Sequence, residues 1–397
     1  MMHPDLVRSA AEIEPELIAL RRALHAAPEP GLHLPQTQAM LLAALAGLDL
    51  EITTGETVSS ITVVIRGALP GPVVLLRADM DGLPVDERTG VPFASTNGAM
   101  HACGHDLHMS IMVGTVRLLA ARRDRLAGTV LVVFQPGEEG HDGALAMIAE
   151  GVLLAGGELP KRTYALHVFS DRAHGQFFCK PGPIMAAVDE LDVTVMGRGG
   201  HGAKPHTTID PIPVALEIAT ALQVYVARRV DPFDPVVLTV GELAAGTARH
   251  VVPDVAYLRA GLRTFSTETR EQLGEGLQAL SRGIAAAHGA SATTRFVSSD
   301  PTTQNDPAAA AEVREVVEGL LGAERFVPLE RPETVGEDYS QFLAHVRGAM
   351  FFVGAAPAGA SPGELPSNHS SLAVFDDGVV ADAAAVLAQL ALSAAGR

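Results

Sequence analysis

The stretch GTVLVVFQPGEEG (residues 128–140) joins an unbroken apolar run to a turn that carries two adjacent glutamates. An uninterrupted run, rather than a polar/apolar alternation, predicts a strand covered on both faces, as in a parallel sheet flanked by helices. The same construction recurs on either side. PVVLLRADMDGLP (72–84) is an apolar strand ending at Asp79 and Asp81, TYALHVF (163–169) carries His167, and GAMFFVG (348–354) lies near the far end of the chain. Between the first two strands, HMSIMVGTVRLLAARR (108–123) sets Met109, Met112, Val116 and Leu119 at helical spacing. Strands alternating with helices predict an α/β fold with a mixed, largely parallel sheet. In such sheets ligands bind beyond the carboxyl ends of the strands, which is where these carboxylates and the histidine fall.

Residues 186–298 follow another pattern. DELDVTVMGRGG alternates as a half-buried strand, and 210–229 reads as a helix. PVVLTVGEL and DVAYLRAGLRTF are strands, STETREQLGEGLQALSRGIAAAHG is a helix opened by a Ser/Thr cap, and SATTRFVSS is a last strand. The order β-α-β-β-α-β is that of a ferredoxin-like α+β unit. The chain therefore divides into an α/β domain, 1–185 with 299–397, interrupted by an inserted domain over 186–298. Near the N-terminus, Ile13, Leu17, Leu20 and Leu24 form an amphipathic helix closed by Pro28.

The chain has 397 residues and a formal net charge of −17, which argues against nucleic acid or anionic lipid as partner. No run of about eighteen uncharged apolar residues predicts a membrane span, and the N-terminus lacks the apolar core of a signal peptide. With Cys103 and Cys179 as the only two cysteines, the sequence is not a disulfide framework. A reducing, cytoplasmic setting is expected.

HACGHDLHMS (101–110) concentrates one of those two cysteines with three histidines and an aspartate. Thiolate and imidazole are ligands for zinc and its neighbours. Glu138 and Glu139, if extended, point to opposite sides, so one can face a metal while its neighbour addresses water. Asp79 and Asp81 share one face of an extended segment, a placement suited to orienting a ligand histidine. His369, in SNHSS, has no meaning on its own.

Taken together, LRADMDGLP, MHACGHDLH, FQPGEEG, ALHV, GRGGHGAKPH, GEDYSQF and SNHSS resemble, in that order, the motifs of the M20 metallopeptidase/amidohydrolase family. The CGHD form is similar to its aminoacylase, hippurate-hydrolase and auxin-conjugate-hydrolase branch. The resemblance spans nearly the whole chain and implies a zinc-peptidase-like catalytic domain with an inserted lid or dimerisation domain. It implies metal ligation by Cys103, His105, Glu139, His167 and His369, with Glu138 as general base and acid. Five mixed ligands suit two divalent ions, zinc or manganese, with cobalt or nickel also admissible, and Cys103 as a bridging thiolate. It further implies that His201 serves a neighbouring subunit's site, so a homodimer or higher homo-oligomer through 186–298 is expected.

The expected reaction is hydrolysis of N-acyl-amino acids, acetyl, benzoyl or longer, to a carboxylic acid and a free amino acid. Dipeptidase or ureido-type amidohydrolase activity at the same site is the alternative. A non-catalytic metal-binding relative is disfavoured by the presence of Glu138. The chain departs from the family pattern at GTARHVVPD, where His250 stands in place of an asparagine that helps hold substrate. Arg263 in LRTF is a second candidate for substrate carboxylate binding.

Overall fold

The computed structural model describes residues 2–396. Along the chain the principal elements are α1 (Asp5–His25), α2 (Pro35–Leu45), β1 (Glu51–Thr54), β2 (Ile61–Arg66), β3 (Leu69–Asp79), α3 (His105–Ala120), β4 (Ala127–Gln135), β5 (Arg162–Phe169) and β6 (Phe177–Cys179). They continue with β7 (Ala187–Met196), α4 (Pro211–Arg229), β8 (Val237–Ala245), β9 (Val255–Thr264), α5 (Thr267–Ala287) and β10 (Ser291–Ser298). Last come α6 (Pro307–Leu321), β11 (Phe326–Pro328), β12 (Gly348–Gly354) and α7 (Val380–Ala395).

Two compact units form: residues 1–184, 304–331 and 341–397 in the first, and 185–303 with 332–340 in the second. The first unit holds an eight-stranded sheet in the order β1-β2-β4-β3-β5-β12-β6-β11. Its centre is parallel, with β3 between β4 and β5, and β5 beside β12. β1, β2 and the β12–β6 contact are antiparallel. Register sets the site: Asp79 lies opposite Gln135, and Arg77 opposite Ala165, so the carboxyl ends of β3, β4 and β5 finish at one level. Val73 to Asp79 and all of β12 are buried, as their unbroken apolar runs require.

The spacing in α3 suggests a single apolar face, but nearly every residue of the helix is buried. The cause is tertiary: α3 lies between the sheet and two further helices, α1 and α7. A helix covered all round has no polar face to preserve. Leu17 and Leu24 of α1 are fully buried, and Ile13 and Leu20 are partly so. One helix among the described residues, Asp377–Ala395, is long and apolar enough to cross a membrane; 83% of that stretch is buried inside the protein. Its apolar surface is already covered by the core.

In the second unit an antiparallel sheet runs β8-β9-β7-β10. Burial alternates along β7 and β9, so one face packs and the other is open. Leu191, Val193, Leu258 and Leu262 meet Ile218 and Leu222 of α4 and Leu273 and Leu277 of α5. Asp210 caps α4 and Ser266 caps α5, each accepting from a backbone N–H of the first turn. Residues 332–340 group with this unit, whereas the sequence places all of 299–397 in the first. The reason is backbone pairing between distant segments: Met185 bridges Glu333, and Ala186 N donates to Val335 O.

Candidate metal centre

Four separate segments of the first unit supply the donors. α3 starts at His105 immediately after Gly104, whose φ is +84°. A Cβ on Gly104 would sit 2.3 Å from Val168 Cγ2. Glycine is thus required both by backbone conformation and by space, and it lets the chain place Cys103 and His105 beside β5. After β4 the chain turns at Gly137 (φ +73°) into a tight Glu138–Gly140 turn. The two glutamates therefore leave a turn rather than an extended segment. His167 comes from β5. His369 comes from the loop after β12, held in the left-handed region (φ +68°), its N–H donating to Ala102 O at 2.8 Å.

Cys103 is the shared donor. His167 Nε2 lies 3.3 Å and His369 Nε2 3.2 Å from its Sγ. Glu139 Oε1 is 3.3 Å from His369 Nε2 and 4.0 Å from His105 Nε2. Cys103, His105 and His167 form one compact donor group, Cys103, Glu139 and His369 another, and His105, Glu138 and Glu139 a third. Two donors about 2.0–2.3 Å from a common ion in tetrahedral array lie about 3.3–3.8 Å apart, close to these separations. His105 Nε2 and Glu139 Oε1 are buried with no hydrogen-bond partner. Orphaned donors of this kind are costly unless a cation satisfies them. The residues fit a divalent metal.

The groups behind the donors fix which ring nitrogen points forward. His105 Nδ1 donates to Asp81 O at 2.9 Å and His167 Nδ1 to Val168 O at 2.8 Å, leaving both Nε2 lone pairs facing the donor cluster. Asp81 acts on His105 through its backbone carbonyl. Its carboxylate instead accepts from the N–H groups of Glu138 (3.0 Å) and Glu139 (3.1 Å), and so shapes the glutamate turn. Asp79 Oδ1 accepts from His108 Nδ1 at 2.6 Å, and Asp79 Oδ2 receives Arg77 at 2.6 Å and lies 3.7 Å from His105 Nε2. His108 and Asn368 were not singled out from sequence. His108 Nε2 accepts from Val168 N at 2.9 Å, and Asn368 links Ser170 N to Val168 O. The signals available were the i+3 spacing of His108 from His105 and the adjacency of Asn368 to His369.

Electrostatics agree with a cradle built for positive charge. The Cys103 sulfur and then the Glu139 carboxylate beside its ring hold the pKa of His369 up to about 10. Burial opposes a proton on His105, but Asp79, Asp81 and Cys103 outweigh it and raise that pKa well above the usual value. Burial also works against ionisation of Asp79, yet His105, His108 and Arg77 keep it well below the usual carboxylate range.

The remaining candidates lie in the second unit. His201 is exposed, and its Nδ1 accepts from Ala203 N at 3.1 Å. A neutral ring therefore carries its proton on Nε2, the outward donor. Gly200–His201 pairs with Val251–Val252, and Gly202 N donates to His250 O at 2.8 Å, so His201 and His250 share one ribbon. Arg263 is near the opposite end of β9, about 25 Å along a strand from the ribbon by the usual rise per residue, and it donates to Leu262 O at 3.0 Å. The structure does not bring Arg263 together with His250.

An α/β sheet whose strand ends collect sulfur, imidazole and carboxylate donors beside a further carboxylate is the construction of a metallohydrolase. Comparison with known proteins gives the same class. Residues 75–393 match Peptidase family M20/M25/M40. Thermostable carboxypeptidase 1 of Saccharolobus solfataricus is 34% identical over 380 residues, covering 94% of both chains. N-acetyl-L-cysteine deacetylase of Bacillus subtilis is 36% identical over 343 residues, 86% of this chain and 81% of the relative. Among solved structures, the Bacillus subtilis YXEP protein, a dinuclear metal binding peptidase from the M20 family, superposes with a TM-score of 0.83 at 31% identity, over 97% of this chain and 99% of that one. The chain belongs to the M20/M25/M40 peptidase family and is a hydrolase of amide bonds.

Proposed function

We propose that this chain is an N-acyl-amino acid amidohydrolase that releases a carboxylic acid and a free amino acid. The observation that carries the reading is the convergence of Cys103, His105, Glu139, His167 and His369 on one cluster next to Glu138. The deacetylases among its relatives favour an acylated amino acid as substrate. Those five side chains would hold two divalent cations, zinc or manganese. Bound cations supply Lewis acidity, polarising an amide carbonyl and lowering the pKa of water.

The chain's own groups perform the proton transfers. Glu138 takes a proton from the attacking water on its carboxylate and returns it to the leaving nitrogen as the C–N bond breaks. Asp81 keeps that carboxylate aimed by holding the N–H groups of the turn that bears it. His201, with its donor on Nε2, supplies a hydrogen bond to the carbonyl oxygen as it gains negative charge, a contribution of several kcal/mol in comparable sites, about 3. It serves the site of a neighbouring copy, and 186–298 is the dimerisation domain. Peptide hydrolysis at a free C-terminus is the second reading, favoured by the carboxypeptidases among the relatives.

The test is a screen of N-acetyl, N-benzoyl and long-acyl amino acids against dipeptides and ureido acids, with protein loaded with zinc or manganese. Turnover of acylated amino acids is expected, and Glu138→Gln should reduce it at least about 10³-fold with metal content unchanged. Hydrolysis confined to dipeptides would replace the reading with the second one. Full activity in Glu138→Gln would remove the role of this carboxylate.

A further inference from the structure

Behind the donor cluster, facing away from it, lies a set of charged side chains that the reaction does not use. Asp106 follows His105 directly and is completely buried. Its Oδ2 forms an ion pair with Arg21 Nε at 2.7 Å and accepts a hydrogen bond from His25 Nδ1 at 2.8 Å, both on α1. The other ring nitrogen of His25 faces Glu87 Oε1 at 3.1 Å, and Glu87 Oε2 accepts from Ser95 N at 2.6 Å. Arg21 continues to Asp377 Oδ1 at 3.0 Å, where Arg22 also binds. Three cations, Arg21, Arg22 and His25, thus meet three carboxylates, Glu87, Asp106 and Asp377. Burial opposes a charge on His25, but Asp106 and Glu87 outweigh it, as an imidazole between two carboxylates requires.

Buried ion networks seldom stabilise a fold more than apolar side chains would; their better-attested use is to hold one arrangement. Here that arrangement is the start of α3. The helix has no side-chain cap, because Gly104 stands at the cap position. Its first turn is pinned instead through Asp106 to α1. Cys103 and His105 flank Gly104, so a first turn that rocks moves Sγ and Nε2 together, against His167 and Glu139 on other elements. A displacement of a few tenths of an ångström matters to metal donors, which must meet an ion within about 0.2 Å of ideal distance.

We propose that the Arg21–Asp106–His25–Glu87 network is a positioning device that sets the cation affinity of the centre by fixing Cys103 and His105 from α1. This rests on the reading of the donor cluster as a cation site. Asp106 and His25 touch neither ion nor substrate; they are positioning residues.

The test uses the full chain and three variants. Asp106→Asn and His25→Gln weaken the network with little change of shape. Arg122→Gln is the control: Arg122 ties the far end of α3 to α1 through Asp5 (2.8 Å) and Ser9 (2.9 Å), so its loss loosens the same helix pair away from the donors. Zinc affinity is measured by chelator competition, the cobalt-substituted protein by its thiolate charge-transfer and ligand-field bands, and folding by urea midpoint. Asp106→Asn and His25→Gln should each weaken zinc binding about 10- to 100-fold, in the range of other groups that orient metal ligands, and shift the cobalt bands. Arg122→Gln should lower the urea midpoint with affinity within about twofold of wild type. Wild-type affinity and spectra in His25→Gln, or an equal loss in Arg122→Gln, would overturn the proposal even if Asp106→Asn does not fold. Wild-type protein that binds no cation would remove the site reading and the proposal with it, whereas wild-type binding with unaltered variants removes the proposal alone.

Discussion

Cys103 is the one side chain common to both donor groups that contain His369 or His167. With two ions bound as proposed, a shared donor has a distinct consequence: its removal would disturb both, whereas loss of a terminal donor would disturb one. Cys103→Ser should therefore bring bound metal well below one equivalent per chain, while His369→Ala retains about one, read by elemental analysis after gel filtration. A full complement of metal in Cys103→Ser would contradict the shared role. The second cysteine behaves differently. Cys179 is buried, and burial pushes its thiol up to about 12. It stays protonated at pH 8 and should resist alkylation by iodoacetamide until the protein is unfolded, as mass spectrometry of the labelled peptide would show.

At the scale of elements, the junction between the 101–104 turn and α3 is sterically constrained at Gly104. Gly104→Ala incurs a left-handed backbone penalty and a clash with Val168, together about 2–4 kcal/mol. The double variant with Val168→Ala should recover part of that loss in urea unfolding; no recovery would place the cost in the backbone alone. The α1–α3 joint should also make stability depend on pH. The pKa of His25 is raised in the folded protein, so its contribution is complete below the unfolded value, about 6.5, and is lost as pH rises through the folded value. The gap in urea midpoint between wild type and His25→Gln should therefore narrow from pH 6 to pH 9. A gap that widens would show the opposite shift. Elements also mark a limit of local pattern. The glutamate turn read as extended because it depends on the positive φ of Gly137 and Gly140, which a glycine permits but does not announce.

For the whole molecule, the two-unit organisation carries the proposal that sites are completed between copies. His201→Ala and Glu138→Gln, each inactive as a homodimer, should regain about a quarter of wild-type activity when mixed and allowed to exchange: half the molecules are then mixed, with one intact site in two. Heterodimers with no activity would exclude a trans-acting His201. The apolar runs of β3, β4, β5 and β12, the alternation in β7 and the capping residue of α5 were legible in sequence, because burial on one or two faces and the needs of a helix end are local requirements on residue type. The candidate donor set was an expectation from motif order rather than from spacing. Which nitrogen of His105 and His167 points inward, how Asp81 divides its carbonyl and carboxylate between two tasks, the grouping of 332–340 with the second unit, and the network behind Asp106 were decided only by tertiary structure. Hydrogen bonds and ion pairs between residues far apart in the chain impose no periodicity on it, so their partners emerge only when strand register and helix packing bring them to within a few ångströms.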